Sequence, residues 1–220
     1  MIERDRKLIQ PGQPLEPTTA SAALSGKTVR SNGAIASHKE WSPLARIHHS
    51  YEGQTYKFAH LEPHTETFVR PATKDQPSET FTVDIRYSDH CFTRSPTAGE
   101  NFAADLVYRN GDKKIRLFCP KRNEMSKLLP GLIRSLPERK PQHNGSNGNF
   151  FTIDALDLNG DPVKYIIIFN VRKSGKGRME LLVETAYIED PGFGSAPLTG
   201  RRVRFWIILN NTYKGLKIHR

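Results

Sequence analysis

The sequence predicts an α+β domain built on an antiparallel β-sheet, and three observations carry that prediction. Two β-rich apolar runs within residues 165–187 flank the turn Lys173-Ser174-Gly175-Lys176-Gly177, which reads as a long hairpin at the centre of the sheet. Phe81, Val83, Ile85 and Tyr87 alternate with Thr82, Asp84, Arg86 and Ser88, a period of two that only a half-buried strand explains. One segment, residues 121–136, instead spaces Met125, Leu128, Leu129, Leu132, Ile133 and Leu136 by threes and fours, so a single main helix is expected. Pro130 should bend or break that helix and Pro137 should end it.

Residues 1–38 contain Pro11, Pro14 and Pro17 and no sustained apolar periodicity. Such a stretch cannot bury enough apolar surface to offset its ordering entropy, so a disordered N-terminal arm is expected there. Residues 39–220 then form one domain. Pro43 confines any helical turn near residues 37–49 to an early position. Residues 55–61 and 65–70 read as short strands around Glu62-Pro63. Strands are expected over 102–109 and 114–119, joined through Asn110-Gly111-Asp112, because Asn and Gly tolerate positive φ. The polar stretch 141–149 reads as a loop, 150–156 and 163–171 as strands, and 202–210, with Val203, Phe205, Trp206, Ile207, Ile208 and Leu209, as the last strand.

The chain of 220 residues carries 33 Lys plus Arg against 23 Asp plus Glu, a formal net charge of +10. That excess favours a polyanionic partner, since each phosphate contact releases condensed counterions. Nucleic acid, RNA first, is the expected partner; an acidic protein such as an antitoxin is the other. Only two cysteines occur, Cys91 and Cys119, and no apolar run approaches the ~20 residues that span a bilayer. A reducing cytoplasmic setting with no membrane association is the simplest expectation.

Several motifs are ruled out by their context. The glycine-lysine turn at 173–177 is followed by a strand, whereas a nucleotide-binding phosphate loop opens a helix. It is a hairpin turn whose cations, Lys173, Lys176 and Arg178, are available to a phosphate backbone. His60, His64, His90, Cys91 and Cys119 lack the paired Cys-x-x-Cys spacing of a structural zinc site, so neither metal nor cofactor is expected. His90 is also badly placed to activate Cys91, because adjacent strand residues point to opposite faces. A further basic cluster at Arg201, Arg202 and Arg204 is expected to join the nucleic-acid surface.

Ser88-Asp89-His90-Cys91-Phe92-Thr93-Arg94 ends the period-two strand with a near-neutral titrating group, a carboxylate and a fixed cation. If Glu184, Thr185 and Tyr187 approach it from the central hairpin, the set supplies what metal-free RNA cleavage requires. That is a base for the 2′-hydroxyl, an acid for the leaving 5′-oxygen, and cations for the phosphorane. The catalytic candidates are His90 as acid or base, Glu184 as its counterpart, Arg94 and Arg172 on the phosphate, and Tyr187 as positioning or proton-donating group. The competing reading makes His90 a strand cap and Cys91 and Phe92 core.

The segments Tyr87-Ser88-Asp89-His90-Cys91-Phe92-Thr93, Leu117-Phe118-Cys119-Pro120-Lys121-Arg122 and Val183-Glu184-Thr185-Ala186-Tyr187 resemble those of a family of bacterial proteins, some labelled stationary-phase growth adaptation proteins. The resemblance covers about residues 55–212 and implies no activity. The final sheet with its cations is similar, at the level of fold, to RelE-type and barnase-like ribonuclease toxins, which implies metal-independent endoribonuclease action. The expected function is therefore an RNA-acting protein of toxin type, with a non-catalytic basic binder of nucleic acid or of an acidic partner as the alternative.

Overall fold

A computed structural model describes residues 47–110, 114–143, 149–157, 159–175, 177–189 and 200–218. The expected arm at residues 1–38 lies outside them, as does Lys176. In chain order the strands are β1 (His48–Tyr51), β2 (Gln54–Lys57), β3 (His64–Arg70), β4 (Glu79–Tyr87), β5 (Thr93–Arg94), β6 (Val107–Asn110), β7 (Ile115–Phe118), β8 (Gln142–His143), β9 (Asn149–Leu156), β10 (Pro162–Gly175), β11 (Arg178–Ile188) and β12 (Arg201–Arg202). The helices are α1 (Pro120–Ser126), α2 (Leu129–Arg134) and α3 (Phe205–Lys214). The class is α+β.

Seven strands form the main sheet in the order β12-β8-β9-β10-β11-β4-β3, with β10 in the middle. The β10–β11 hairpin is therefore central, and Gly175 and Gly177 take φ of +85° and +74° at its tip, where a Cβ would be strained. The expectation of an all-antiparallel sheet is corrected at one pairing: β11 and β4 run parallel. Their register sets Met179 opposite Val83, Leu181 opposite Ile85 and Val183 opposite Tyr87, all buried. Residues 179–183 are buried on both faces of the strand, the continuous burial that a parallel neighbour imposes.

The break expected at Pro130 is found, and one further expectation is corrected. The helix expected over 121–136 is divided into α1 and α2, because Pro130 has no N–H to continue the ladder of hydrogen bonds. The last strand is instead the helix α3. Phe205, Ile208 and Leu209 are buried at a spacing of three and four while Ile207 is 45% exposed, and Gly215 closes the helix with φ +70°. A continuous apolar run of five residues does not distinguish strand from helix by periodicity, which is why the β-branched content misled.

A second small sheet, β5-β7-β6, is tied down by an aromatic cluster. Phe92 stacks on Phe58 with centroids 4.1 Å apart and meets Tyr108 edge-on at 4.9 Å; Phe118 packs against Tyr56 at 4.7 Å. All of these rings but the half-buried Tyr56 are buried, and they hold rigidly the segment that carries His90.

Candidate functional site

Strand β4 stops at Tyr87, where its pairing with Val183 ends, but β11 runs on to Ile188. The extra length of β11 thus has no strand beside it on the β4 side. The chain fills the gap with a 3-10 turn, Asp89–Cys91, capped by Ser88. The Ser88 hydroxyl accepts from the His90 N–H at 3.0 Å and donates to the Glu184 carbonyl at 2.8 Å, while the Ser88 N–H donates to the Val183 carbonyl at 3.0 Å. Glu184 is the extra residue of a β-bulge: Val183 faces Phe169 and Thr185 faces Ile168 across β10. Turn and bulge are therefore locked to each other by the two hydrogen bonds from Ser88 to β11.

Beside this junction lies a cleft of about 1230 Å³ lined by His90, Arg94, Glu100, Arg116, Cys119, Lys121, Arg122, Lys164 and Tyr187 among others. Its cations fall into two groups. Arg94 is gripped by both carboxylate oxygens of Glu100, Lys121 pairs with Asp157 at 3.0 Å, and Lys164 reaches Glu189 at 3.9 Å. Among the described residues, Arg116 and Arg122 contact only neutral partners. Arg116, 5% exposed, donates from Nε to the Thr93 hydroxyl at 3.0 Å, from Nη1 to the Ser95 hydroxyl at 2.9 Å, and from Nη2 to the Thr93 carbonyl at 2.9 Å. Arg122 donates from Nη1 to the carbonyls of His90 at 3.1 Å and Thr93 at 2.9 Å, and its guanidinium carbon lies 5.6 Å from the centre of the Tyr187 ring. The neighbouring Asp89 carboxylate is taken by Arg109 at 3.1 Å.

Burial of these two cations is expensive, and their acidities register it. Desolvation pushes Arg116 down to about 10 and lowers Arg122 as well. His90 is pushed down to about 4, first by burial and then by the positive charge of Arg116, with Asp89 opposing. Its imidazole is thus neutral at physiological pH and able to accept a proton. Burial raises the Tyr187 phenol, so that group keeps its proton. The arrangement is a neutral base and a protonated phenol in a cleft with two cations that, among the described residues, no carboxylate contacts, Asp89 acting on Arg116 only from a distance. It can hold an anion and move a proton beside it.

Three of the five expected catalytic residues, His90, Arg94 and Tyr187, line this one cleft. Two do not. The Glu184 carboxylate accepts from the Asn170 amide at 2.9 Å, and Arg172 pairs with Glu180 at 2.7 Å. Of the expected nucleic-acid residues, Arg178 forks onto Asp84, Lys173 is exposed near the hairpin tip, and Arg201, Arg202 and Arg204 are exposed on or after the edge strand β12. None of these lines the cleft. His60 bonds Ser126 at 2.8 Å and His64 the Glu62 carbonyl at 3.1 Å, so neither joins His90. Among the described residues no group of three or more His, Cys, Asp or Glu is placed to hold a metal, and no helix is long and apolar enough to cross a membrane.

Sequence reasoning missed Arg116 and Arg122. The available signal was a lone arginine inside the apolar run Ile115-Arg116-Leu117-Phe118, since a cation in a buried strand must find either a partner or a ligand.

Fold and site together define an α+β protein with a cationic cleft where a parallel strand pair diverges. The chain belongs to the YjaZ family, whose family model matches residues 48–213 and so contains the whole cleft lining. No curated protein and no solved structure matches the chain.

Proposed function

We propose that the chain acts on RNA in the cytoplasm as a metal-independent endoribonuclease, binding a backbone phosphate at Arg116 and Arg122. The observation that carries this reading is a buried and a half-buried guanidinium that, among the described residues, contact no carboxylate and face the same cleft as a neutral histidine. A phosphodiester supplies the missing negative charge in the form that a guanidinium matches best. His90 then takes the proton of the 2′-hydroxyl, the 2′-oxygen bonds to phosphorus, and the bond from phosphorus to the 5′-oxygen breaks. Tyr187 gives its proton to the departing 5′-oxygen and recovers one from the His90 imidazolium through water. The products are a 2′,3′-cyclic phosphate and a free 5′-hydroxyl. Arg116 and Arg122 stabilise the phosphorane between these steps.

Incubating total RNA with the protein in excess chelator tests this directly. Wild type is expected to release fragments ending in cyclic phosphate, and His90→Ala to release them about a hundredfold more slowly or not at all. Intact RNA with wild type overturns the catalytic reading. Retention of RNA that weakens steeply with salt, without turnover, would select the non-catalytic binder in its place.

A further inference from the structure

The cleft contains a second anion nest, already occupied by the chain's own carboxylate. The tight turn at residues 97–100, closed by the Glu100 N–H on the Thr97 carbonyl at 3.1 Å with Gly99 at φ +75°, folds Glu100 back over Arg94. There Oε2 accepts from Arg94 Nη1 at 2.7 Å, from the Thr97 N–H at 2.8 Å and from the Thr97 hydroxyl at 3.0 Å, while Oε1 takes Arg94 Nη2. A guanidinium fork, a backbone N–H and a hydroxyl converging on one anion are the donor set of a phosphate site.

We infer that the Arg94–Thr97 nest is a second phosphate subsite, that Glu100 is its resting occupant, and that the cleft's ligand is a chain bearing at least two phosphates. This rests on the reading of Arg116 and Arg122 as the first phosphate site. Two facts favour displacement over a permanent clamp. Arg94, Thr97 and Glu100 all line the cleft that holds Arg116 and Arg122, so a ligand anchored there presents its next phosphate at high local concentration. Glu100 also lies in residues 95–103, which carry no helix or strand, so its side chain can leave without breaking a ladder. Arg94 holds the Glu100 carboxyl down at about 2, so protonation does not release it at physiological pH; only a competing anion does. A mononucleotide carrying a single phosphate fills the first site and leaves Glu100 in place. A polynucleotide fills both.

The test uses inorganic tripolyphosphate, which carries several phosphates and no nucleoside, with binding to the full chain measured by calorimetry. Glu100→Gln keeps an acceptor for Arg94 but removes the competing charge, and it is expected to bind about five- to tenfold more tightly than wild type. Arg94→Gln should bind more weakly than wild type, and adding Glu100→Gln to it should restore nothing. A clamp that merely holds the loop predicts the opposite sign: a lower melting temperature and unchanged or weaker binding for Glu100→Gln. That result overturns the inference, as does failure of tripolyphosphate to bind any of the proteins. Should Glu100→Gln fail to fold, the wild-type Arg94 Nε–H resonance decides, since it must shift with tripolyphosphate at the concentrations that shift Arg122. RNA digestion run in parallel separates the two readings. Intact RNA with tighter binding by Glu100→Gln removes the ribonuclease and keeps the subsite; cleaved RNA with no gain does the reverse.

Discussion

The two ends of strand β11 carry the same chemistry arranged in opposite ways. Near its start, Arg178 meets Asp84, and Arg172 and Arg86 flank the buried Glu180 carboxylate at 2.7 and 3.4 Å. Every arginine there has an acid, and the local charge is largely spent within the protein. Beyond the bulge at Glu184, the strand end borders Arg122 and, through the turn at His90, Arg116, and these have hydroxyls and carbonyls instead. What differs is not the number of cations but what each one faces. A formal charge of +10 says nothing about which arginines remain available to a ligand.

The largest effect separates His90 in the cleft from Glu184, whose carboxylate is held by Asn170. His90→Ala is expected to lower RNA cleavage by about a hundredfold or more, the usual scale for a lost proton acceptor, measured as cyclic-phosphate ends released per minute. Glu184→Gln should change it by no more than about twofold. Equal losses would dissolve the distinction.

Stability should separate the ends next. Arg116→Leu removes a buried donor from the Thr93 hydroxyl and one of the two from the Thr93 carbonyl, and should cost about 2 kcal/mol in chemical denaturation. Arg178→Leu, on a pair about half exposed, should cost no more than about 1 kcal/mol. Binding follows. Arg122→Gln should weaken anisotropy-measured affinity for a single-stranded RNA oligomer about tenfold in low salt, and Arg172→Gln by less than about twofold.

The smallest effect is a dependence on pH. Because His90 titrates near 4 in the folded chain and near 6.5 when unfolded, the unfolded state binds the extra proton between those values. Stability from this group is therefore complete above about pH 6.5 and is lost as pH falls towards 4. The imidazole is partly exposed, so the loss should stay within about 1 kcal/mol. His60, also lowered by burial, adds a contribution of the same sign. Thermal melts should fall over that window, and His90→Gln should flatten the fall.

Much of the fold was legible because its signals were local. Alternation in 81–88, the glycine-rich tip at 173–177 and the spacing of Leu128, Leu129, Leu132 and Ile133 all act within a few residues. The parallel pairing of β11 with β4 was not, since it joins residues about a hundred apart through register alone. Nor was α3, where Phe205, Ile208 and Leu209 are separated by residues equally apolar. At the site, His90, Arg94 and Tyr187 were legible as chemistry at the ends of strands. Glu184 and Arg172 were misplaced because their partners, Asn170 and Glu180, lie on the opposite strand of the hairpin and are set by its register, and Arg116 escaped because its neighbours looked like plain core.

That bulge has a consequence for how the family can vary. A strand has only two phases, and one inserted residue converts the first into the second, so everything after Glu184 is turned by half a period relative to everything before it. Deleting Glu184 would leave composition and hydropathy almost untouched, yet it would return Tyr187 to the phase now held by Ala186 and carry it off the cleft wall. Insertions or deletions in β11 should therefore come in twos wherever the cleft is kept, a rule of parity that any collection of sequences from this family can contradict with a single odd step.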